Sequence, residues 1–280
     1  MRPSRRPLAA VVLLLAASLL PASALANGSG TLGQFLTEIV PGGGVQTAGV
    51  GLAQRRGGPA TGYMTISDVP PGATIHSAYL YWMSIGGGGD ASVVFDGYNI
   101  TGQNIGSHSN TCWGSYSGNN NSFRADVTEY VSGNGTFAVS GLQFTSGSTD
   151  GQGAGLIVIW QNDPATTDRE THVIVYDGNI RSDNTNDLIT FNGFSVDSAP
   201  YSARMHIQLG DGQAAQDGST RFGANTVDSG EVYIGGDGNW GEGNMWDTEN
   251  YNVMSYVNVG MTSTQLATAE PSAGNDCLAW

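Results

Sequence analysis

The residues best suited to chemistry lie in the segment GGDGNWGEGNMWD, which runs from residue 235 to residue 247. Asp237, Asn239, Glu242 and Asp247 offer oxygen ligands at short spacing, and hard oxygen ligands suit Ca²⁺. Their spacing does not match the EF-hand loop. Calcium binding by these four residues is therefore a hypothesis about ligand chemistry and not a motif match.

Aromatic side chains accompany these acids. Trp240, Trp246 and Tyr251 could stack on sugars. Asp247 and Glu249 are two positions apart, so on a strand they would share one face, and glycosidases use two neighbouring carboxylates. A solvated acidic turn, with the aromatic rings packed on the edge of the fold, explains the same residues. Three roles for these residues remain open. A structural role is favoured first, sugar binding second and hydrolysis third.

Sequence motifs of the common hydrolases are absent. The chain contains neither G-x-S-x-G nor H-E-x-x-H. Its four histidines are scattered, and His76, His172 and His206 alternate with apolar neighbours, which suggests that they lie on solvent faces of strands. No catalytic residue is assigned, and we predict a protein that is not an enzyme.

The charge balance excludes several further classes. The 280 residues include 10 Arg, no Lys and 24 acids, for a formal net charge of −14. Nucleic-acid binding depends on clustered basic residues, so no nucleic-acid partner is expected. A Walker-type phosphate loop and Schiff-base chemistry both need a Lys and are excluded.

The first 26 residues have the pattern of a secretory signal peptide. Three Arg lie at the start, Leu8 to Leu20 is apolar, and Ala24-Leu25-Ala26 is a small-x-small cleavage site. The apolar run is too short for a stable membrane span. Cleavage after Ala26 removes the three Arg and takes the net charge from −14 to −17. We expect a secreted, extracellular or cell-surface protein with no membrane span after cleavage.

The chain has two cysteines, Cys112 and Cys277. An even number of cysteines in an exported protein favours a disulfide. Two unpaired cysteines in different places are the alternative.

Apolar residues recur with period two or in short runs bounded by Gly, Asn, Asp and Ser, which is typical of strands and turns. The run GLIVIW from Gly155 predicts a central strand covered on both faces. Asp96-Gly97 and Asn192-Gly193 are hairpin signals. We predict an all-β protein, an antiparallel β-sandwich or jelly roll with few or no helices. A Gly-rich lead-in at residues 27–60 precedes a sandwich domain at 61–280, either one domain or two packed sub-sheets.

Several segments resemble, in order, a family of secreted bacterial and archaeal surface proteins known only as a domain of unknown function. They are VPPGATIHSAYLYW from Val69, VVFDGYNITG from Val93, CW at Cys112, ADVTEYVSGNGTFAVSGL from Ala125, GAGLIVIWQNDP from Gly153, RETHVIVYDG from Arg169, MWDTENYNV from Met245 and DCLAW from Asp276. The resemblance covers roughly residues 62–280. It implies an exported β-sandwich module associated with adhesins, and it supplies no catalytic residues. The family's last strand usually continues beyond the DCL motif, whereas this chain stops at Trp280.

Export, strand-rich architecture and this resemblance together predict a non-enzymatic surface, matrix or adhesin-like module. It would act by recognition or assembly, with glycans, cell-surface or matrix components, or a second copy of the chain as partner. The alternative is a Ca²⁺-dependent, lectin-like carbohydrate-binding module. A secreted glycoside hydrolase is a distant third.

Overall fold

The computed structural model describes residues 31–109, 111–182, 187–213, 218–230, 232–237, 245–269 and 278–279. The predicted signal peptide lies outside these residues. Among them, no helix reaches the length and apolarity needed to cross a membrane. The described residues form nineteen β-strands and three single-turn 3-10 helices. All ladders between these strands are antiparallel, which confirms the predicted fold class.

The strands are numbered in chain order. The first ten are β1 (Thr31–Pro41), β2 (Gly44–Gly51), β3 (Thr61–Ile66), β4 (Thr74–Ile85), β5 (Ser92–Phe95), β6 (Tyr98–Thr101), β7 (Gln103–His108), β8 (Asn120–Asp126), β9 (Gly135–Ser140) and β10 (Asp150–Gln161). The others are β11 (Glu170–Asn179), β12 (Arg181–Ser182), β13 (Asp187–Asn192), β14 (Arg204–Gly210), β15 (Gly218–Phe222), β16 (Asn225–Gly230), β17 (Trp246–Asn252), β18 (Ser263–Ala269) and β19 (Leu278–Ala279). The 3-10 helices are Gln54–Arg56, Thr128–Tyr130 and Met254–Tyr256.

The first sandwich is built on a central sheet with the strand order β2-β10-β4-β8-β7. Its inner face packs on the sheet β3-β9-β5-β6 around one apolar core. Trp82 of β4 is 1% exposed and stacks on Phe123 of β8, with 5.6 Å between the ring centroids. β10 lies between β2 and β4 and is buried along most of its length. The central strand predicted from its continuous apolar run is therefore confirmed.

Two units share the outer face of the central sheet. The two-stranded β1–β11 ribbon covers one part through an apolar cluster that includes Val40, Tyr81 and Ile159. A second sandwich covers the other part. It consists of the sheets β12-β19-β14-β17 and β13-β18-β15-β16 around a core of its own. Packing two units side by side on one face leaves a gap between them.

Three glycines allow the second sandwich to approach the central sheet closely. A Cβ added to any of them would collide with a side chain of the second sandwich. The colliding pairs are Gly49 with Thr248, Gly153 with Trp246, and Gly155 with Gln208. These contacts, together with those between β2 and β17, define what we call the seam between the two sandwiches.

Some local predictions differ from the structure. Asp96-Gly97 forms the expected hairpin between β5 and β6. Asn192-Gly193 does not, because β13 pairs with the distant β18. The polar stretch at residues 101–123, rich in Gly, Asn and Ser, contains β7 and most of β8. The Gly-rich lead-in contains β1 and β2, whose pairing with β11 and β10 makes it part of the fold.

We predict that Gly49→Ala destabilises the protein by about 1–3 kcal/mol, because overpacking forces a tight contact to shift. Urea unfolding measures this free energy. Gly33→Ala in β1 is the matched control, since a Cβ there meets nothing within 4 Å. Equal unfolding midpoints for the two variants would contradict a tightly packed seam.

Candidate functional site

A cleft of about 1840 Å³ opens between the β1–β11 ribbon and the second sandwich. Val45 and Thr47 of β2 and Ile157 of β10 line its floor. One wall carries His172 of β11, and the opposite wall carries Gln208 of β14. The volume exceeds the roughly 300–1,000 Å³ of a typical small-molecule pocket. The cleft can therefore accept an extended ligand.

An aromatic side chain stands at the rim of the cleft. Tyr201, in the segment between β13 and β14, is 49% exposed. Its hydroxyl lies 2.9 Å from the Thr171 hydroxyl, and the Arg169 guanidinium lies 4.8 Å from its ring centroid. The ring is held on one side and keeps much of its surface open to solvent.

The β14 side of the cleft presents neutral polar groups in its interior, whereas β11 contributes the buried Asp177, which pairs with Arg124. His206 of β14 lies 3.1 Å from the Thr47 hydroxyl, and burial, with a smaller effect of Arg204, lowers its pKa to about 4. The imidazole is therefore neutral at pH 7. Gln208 donates from Nε2 to the carbonyls of Ala48 and Leu156. The prediction that His206 lies on a solvent face is wrong, because the second sandwich packs that face against β2.

The predicted calcium segment is described in part. Asn239 and Glu242 lie outside the described residues. Asp247 accepts backbone N–H bonds from Gly235 at 2.8 and 2.9 Å and from Gly236 at 3.2 Å, so both its oxygens are used in bracing the turn. Within the described ranges, no group of three or more His, Cys, Asp or Glu could hold a metal. Calcium binding with Asp237 stays a prediction.

Of the predicted sugar-stacking residues that the structure describes, Trp246 is buried and Tyr251 is partly buried. Trp246 is 3% exposed and packs with Met83 and Ala279. Tyr251 packs against the core of the second sandwich, and its hydroxyl is enclosed. Trp246 nevertheless lines the inner end of the cleft, so sugar stacking by Trp246 and Tyr251 stays a prediction. Trp240 lies outside the described residues.

Asp247 and Glu249 do share one face of β17, as the spacing indicates. Neither residue lines the cleft. Burial, with nearby acids, raises the pKa of Asp247 to about 8 and that of Glu249 to about 7. Burial also raises the pKa of Asp237 to about 6. These acids are enclosed within the second sandwich and at the seam, which is unlike the open carboxylate pair of a glycosidase.

A buried ionic network lies beside the seam, and we call it the Arg55 network. The Arg55 side chain is 4% exposed and pairs with Asp150 at 2.9 Å and Asp211 at 3.2 Å. It also donates to Gln152. The guanidinium stacks over Trp113 at 4.5 Å, and the Trp113 indole N–H donates to Asp211 at 2.5 Å. The network joins the start of β10 to the end of β14.

Cys112 precedes the tryptophan of this network. The described part of the chain contains no free cysteine. Cys277 lies outside the described residues, so the pairing of Cys112 with Cys277 stays a prediction.

Sequence patterns did not indicate the cleft or the Arg55 network. Arg169, which precedes a strand among several acids, forms no ion pair within the described residues and is exposed against Tyr201. Arg55 follows the apolar pair Leu52-Ala53 in a chain with few cations. An arginine close to apolar residues, in a chain with so few cations, is the sequence feature that could have indicated burial of Arg55.

A scan against protein-family models gives no match, and a search of curated proteins finds no similar sequence. The resemblance to the family of secreted surface proteins therefore stays a prediction.

We predict that Arg55→Met lowers the free energy of unfolding by about 3–5 kcal/mol, because it leaves two buried carboxylates without their cation. Urea unfolding measures the loss. Arg221→Met, at an exposed position in β15, removes the same charge without a buried partner. A loss no larger than that of the control would show that the network does not stabilise the fold.

We predict that stability falls as the pH rises. Asp237, Glu249 and Asp247 have folded-state pKa values of about 6, 7 and 8, above their ordinary values. Their contribution is fully present below about pH 4 and is lost as the pH passes through 6 to 8. Urea midpoints should therefore be higher at pH 5 than at pH 9, and Asp247→Asn should reduce the difference. A urea midpoint that rises between pH 5 and pH 9 would contradict the burial of these three carboxyl groups.

Proposed function

We propose that this protein is an exported, non-enzymatic recognition module that binds a neutral oligosaccharide in the cleft. The observation that carries the proposal is the cleft itself, an extended groove with an exposed aromatic rim and neutral polar groups on the inner part of its β14 side. An adhesin-like or matrix role follows, since such modules act through surface recognition and not through turnover.

The chemistry of the lining supports a sugar ligand. Sugars present hydroxyl groups beside apolar C–H faces. Thr47, His206 and Gln208 offer neutral donors and acceptors, and Tyr201 offers an aromatic surface with a polar end. Sugar hydroxyls lose hydrogen bonds to water when the ligand enters, and these neutral donors and acceptors can replace them.

Two features favour binding over hydrolysis. The carboxylates of Asp247 and Glu249 do not line the cleft. Of the acids that do line it, Asp168 and Glu170 are exposed, and the buried Asp177 is already paired with Arg124. The proposal therefore assigns recognition to the cleft and no catalytic residue.

The proposal includes export, a Cys112–Cys277 disulfide and the surface location predicted from residues 1–26. The acidic, Lys-free composition is compatible with a protein kept soluble outside the cell.

Glycan-array screening followed by calorimetry tests the cleft. We expect Tyr201→Ala to weaken binding of a soluble neutral oligosaccharide by about tenfold, because the rim loses its stacking surface. Tyr98→Ala is the control, since Tyr98 is 53% exposed and does not line the cleft. Binding should be unchanged by a calcium chelator.

Three results would overturn the proposal: turnover of a polysaccharide by the purified protein, equal affinity of the two tyrosine variants, or the absence of any glycan ligand. Loss of binding with the chelator would favour the Ca²⁺-dependent lectin.

A further inference from the structure

The first sandwich has a second surface suited to recognition, on the outer face of the sheet β3-β9-β5-β6. Strand alternation places Met64, Phe95 and Val139 in the core, and their neighbours on the opposite face. Ten side chains form this opposite face, which we call the hydroxyl face. They are Thr61, Tyr63, Thr65, Ser92, Val94, Asn99, Thr101, Thr136, Ala138 and Ser140.

None of these ten side chains is charged, although the chain carries 24 acids. Seven of them bear a hydroxyl, and one is an amide. The acids nearest in sequence, Asp68, Asp90 and Asp96, lie outside the strands that form the face. A four-stranded, uncharged and exposed face is unusual in so acidic a protein, and it offers many neutral donors and acceptors.

An aromatic ring stands on this face. Tyr63 of β3 is 60% exposed. Its cross-strand partner on β9 is Ala138, whose small side chain leaves the ring uncovered on that side. Two register positions along, the hydroxyls of Thr65 and Thr136 lie 3.1 Å apart and hydrogen-bond to each other. The face therefore combines one open aromatic surface with an array of hydroxyls.

The area of the face argues against a second copy of the chain as its occupant. Four strands at about 4.8 Å spacing and about five residues at about 3.4 Å each give a footprint of roughly 320 Å². A standard interface buries roughly 800 Å² on each partner. Two copies, each with a net charge of −14 before any cleavage, would also repel one another.

We propose that the hydroxyl face binds the flat surface of a neutral polysaccharide. A neutral polymer suffers no repulsion from the acidic protein, and weak contacts at a small face gain strength when many copies bind one polymer. The ring of Tyr63 contacts the C–H face of a sugar unit, while the surrounding hydroxyls exchange hydrogen bonds with sugar hydroxyls. This surface is independent of the cleft, to which it contributes no residue.

Co-sedimentation with insoluble neutral polysaccharides tests the proposal, with microcrystalline cellulose, insoluble β-1,3-glucan and chitin as probes. We expect Tyr63→Ala and Thr65→Glu each to reduce the bound fraction at least fivefold. Thr190→Glu adds the same charge on an exposed position of β13 in the other sandwich and should bind as the unchanged protein does. Urea unfolding establishes that each variant is folded.

The two proposals fail separately. Tyr201→Ala should retain binding to insoluble polymer while losing the soluble oligosaccharide, and Tyr63→Ala should do the reverse. The hydroxyl-face proposal is overturned if the unchanged protein sediments with none of the three polymers. It is also overturned if Tyr63→Ala or Thr65→Glu leaves binding intact, or if ultracentrifugation shows a dimer that Thr65→Glu disrupts.

Discussion

The burial of one positive charge constrains how the two sandwiches sit together. Arg55 lies between the carboxylate of Asp150, at the start of β10, and that of Asp211, directly after β14. If β10 and β14 moved apart, a buried charge would lose its partner, which is strongly destabilising. Trp113 covers the guanidinium and donates to one of the carboxylates. Because β14 also forms a wall of the cleft, the same ionic contact fixes the position of that wall over the central sheet.

Much of the first sandwich could be predicted from local sequence, and pairing between distant strands could not. The apolar run of β10 and the Asp96-Gly97 turn act within a few residues, so their patterns indicate the right elements. Asp177-Gly178 has the same turn chemistry, yet it continues β11 because β1 supplies a ladder along that whole strand. Whether such a dipeptide forms a turn or continues a strand therefore depends on a pairing strand that lies more than a hundred residues away in the sequence.

The candidate site was harder to predict, because its residues come from segments with no shared motif. Thr47, His172, Tyr201 and His206 meet only when the ribbon and the second sandwich are both in place. The acids and tryptophans between residues 237 and 251 form a denser pattern, yet Trp246 and Asp247 are used for packing and for bracing a turn. A concentration of reactive side chain types can therefore reflect the demands of a buried seam.

The seam glycines also have a consequence for ligand choice. Gly155 lies directly beneath Gln208, a residue of the cleft's inner wall. A single methyl group at Gly155 would push Gln208 and that wall outward without changing the identity of any residue that contacts a ligand. Related chains could thus acquire clefts of different width through changes in the layer beneath the binding surface, and glycan preference could shift while every contacting residue stayed the same.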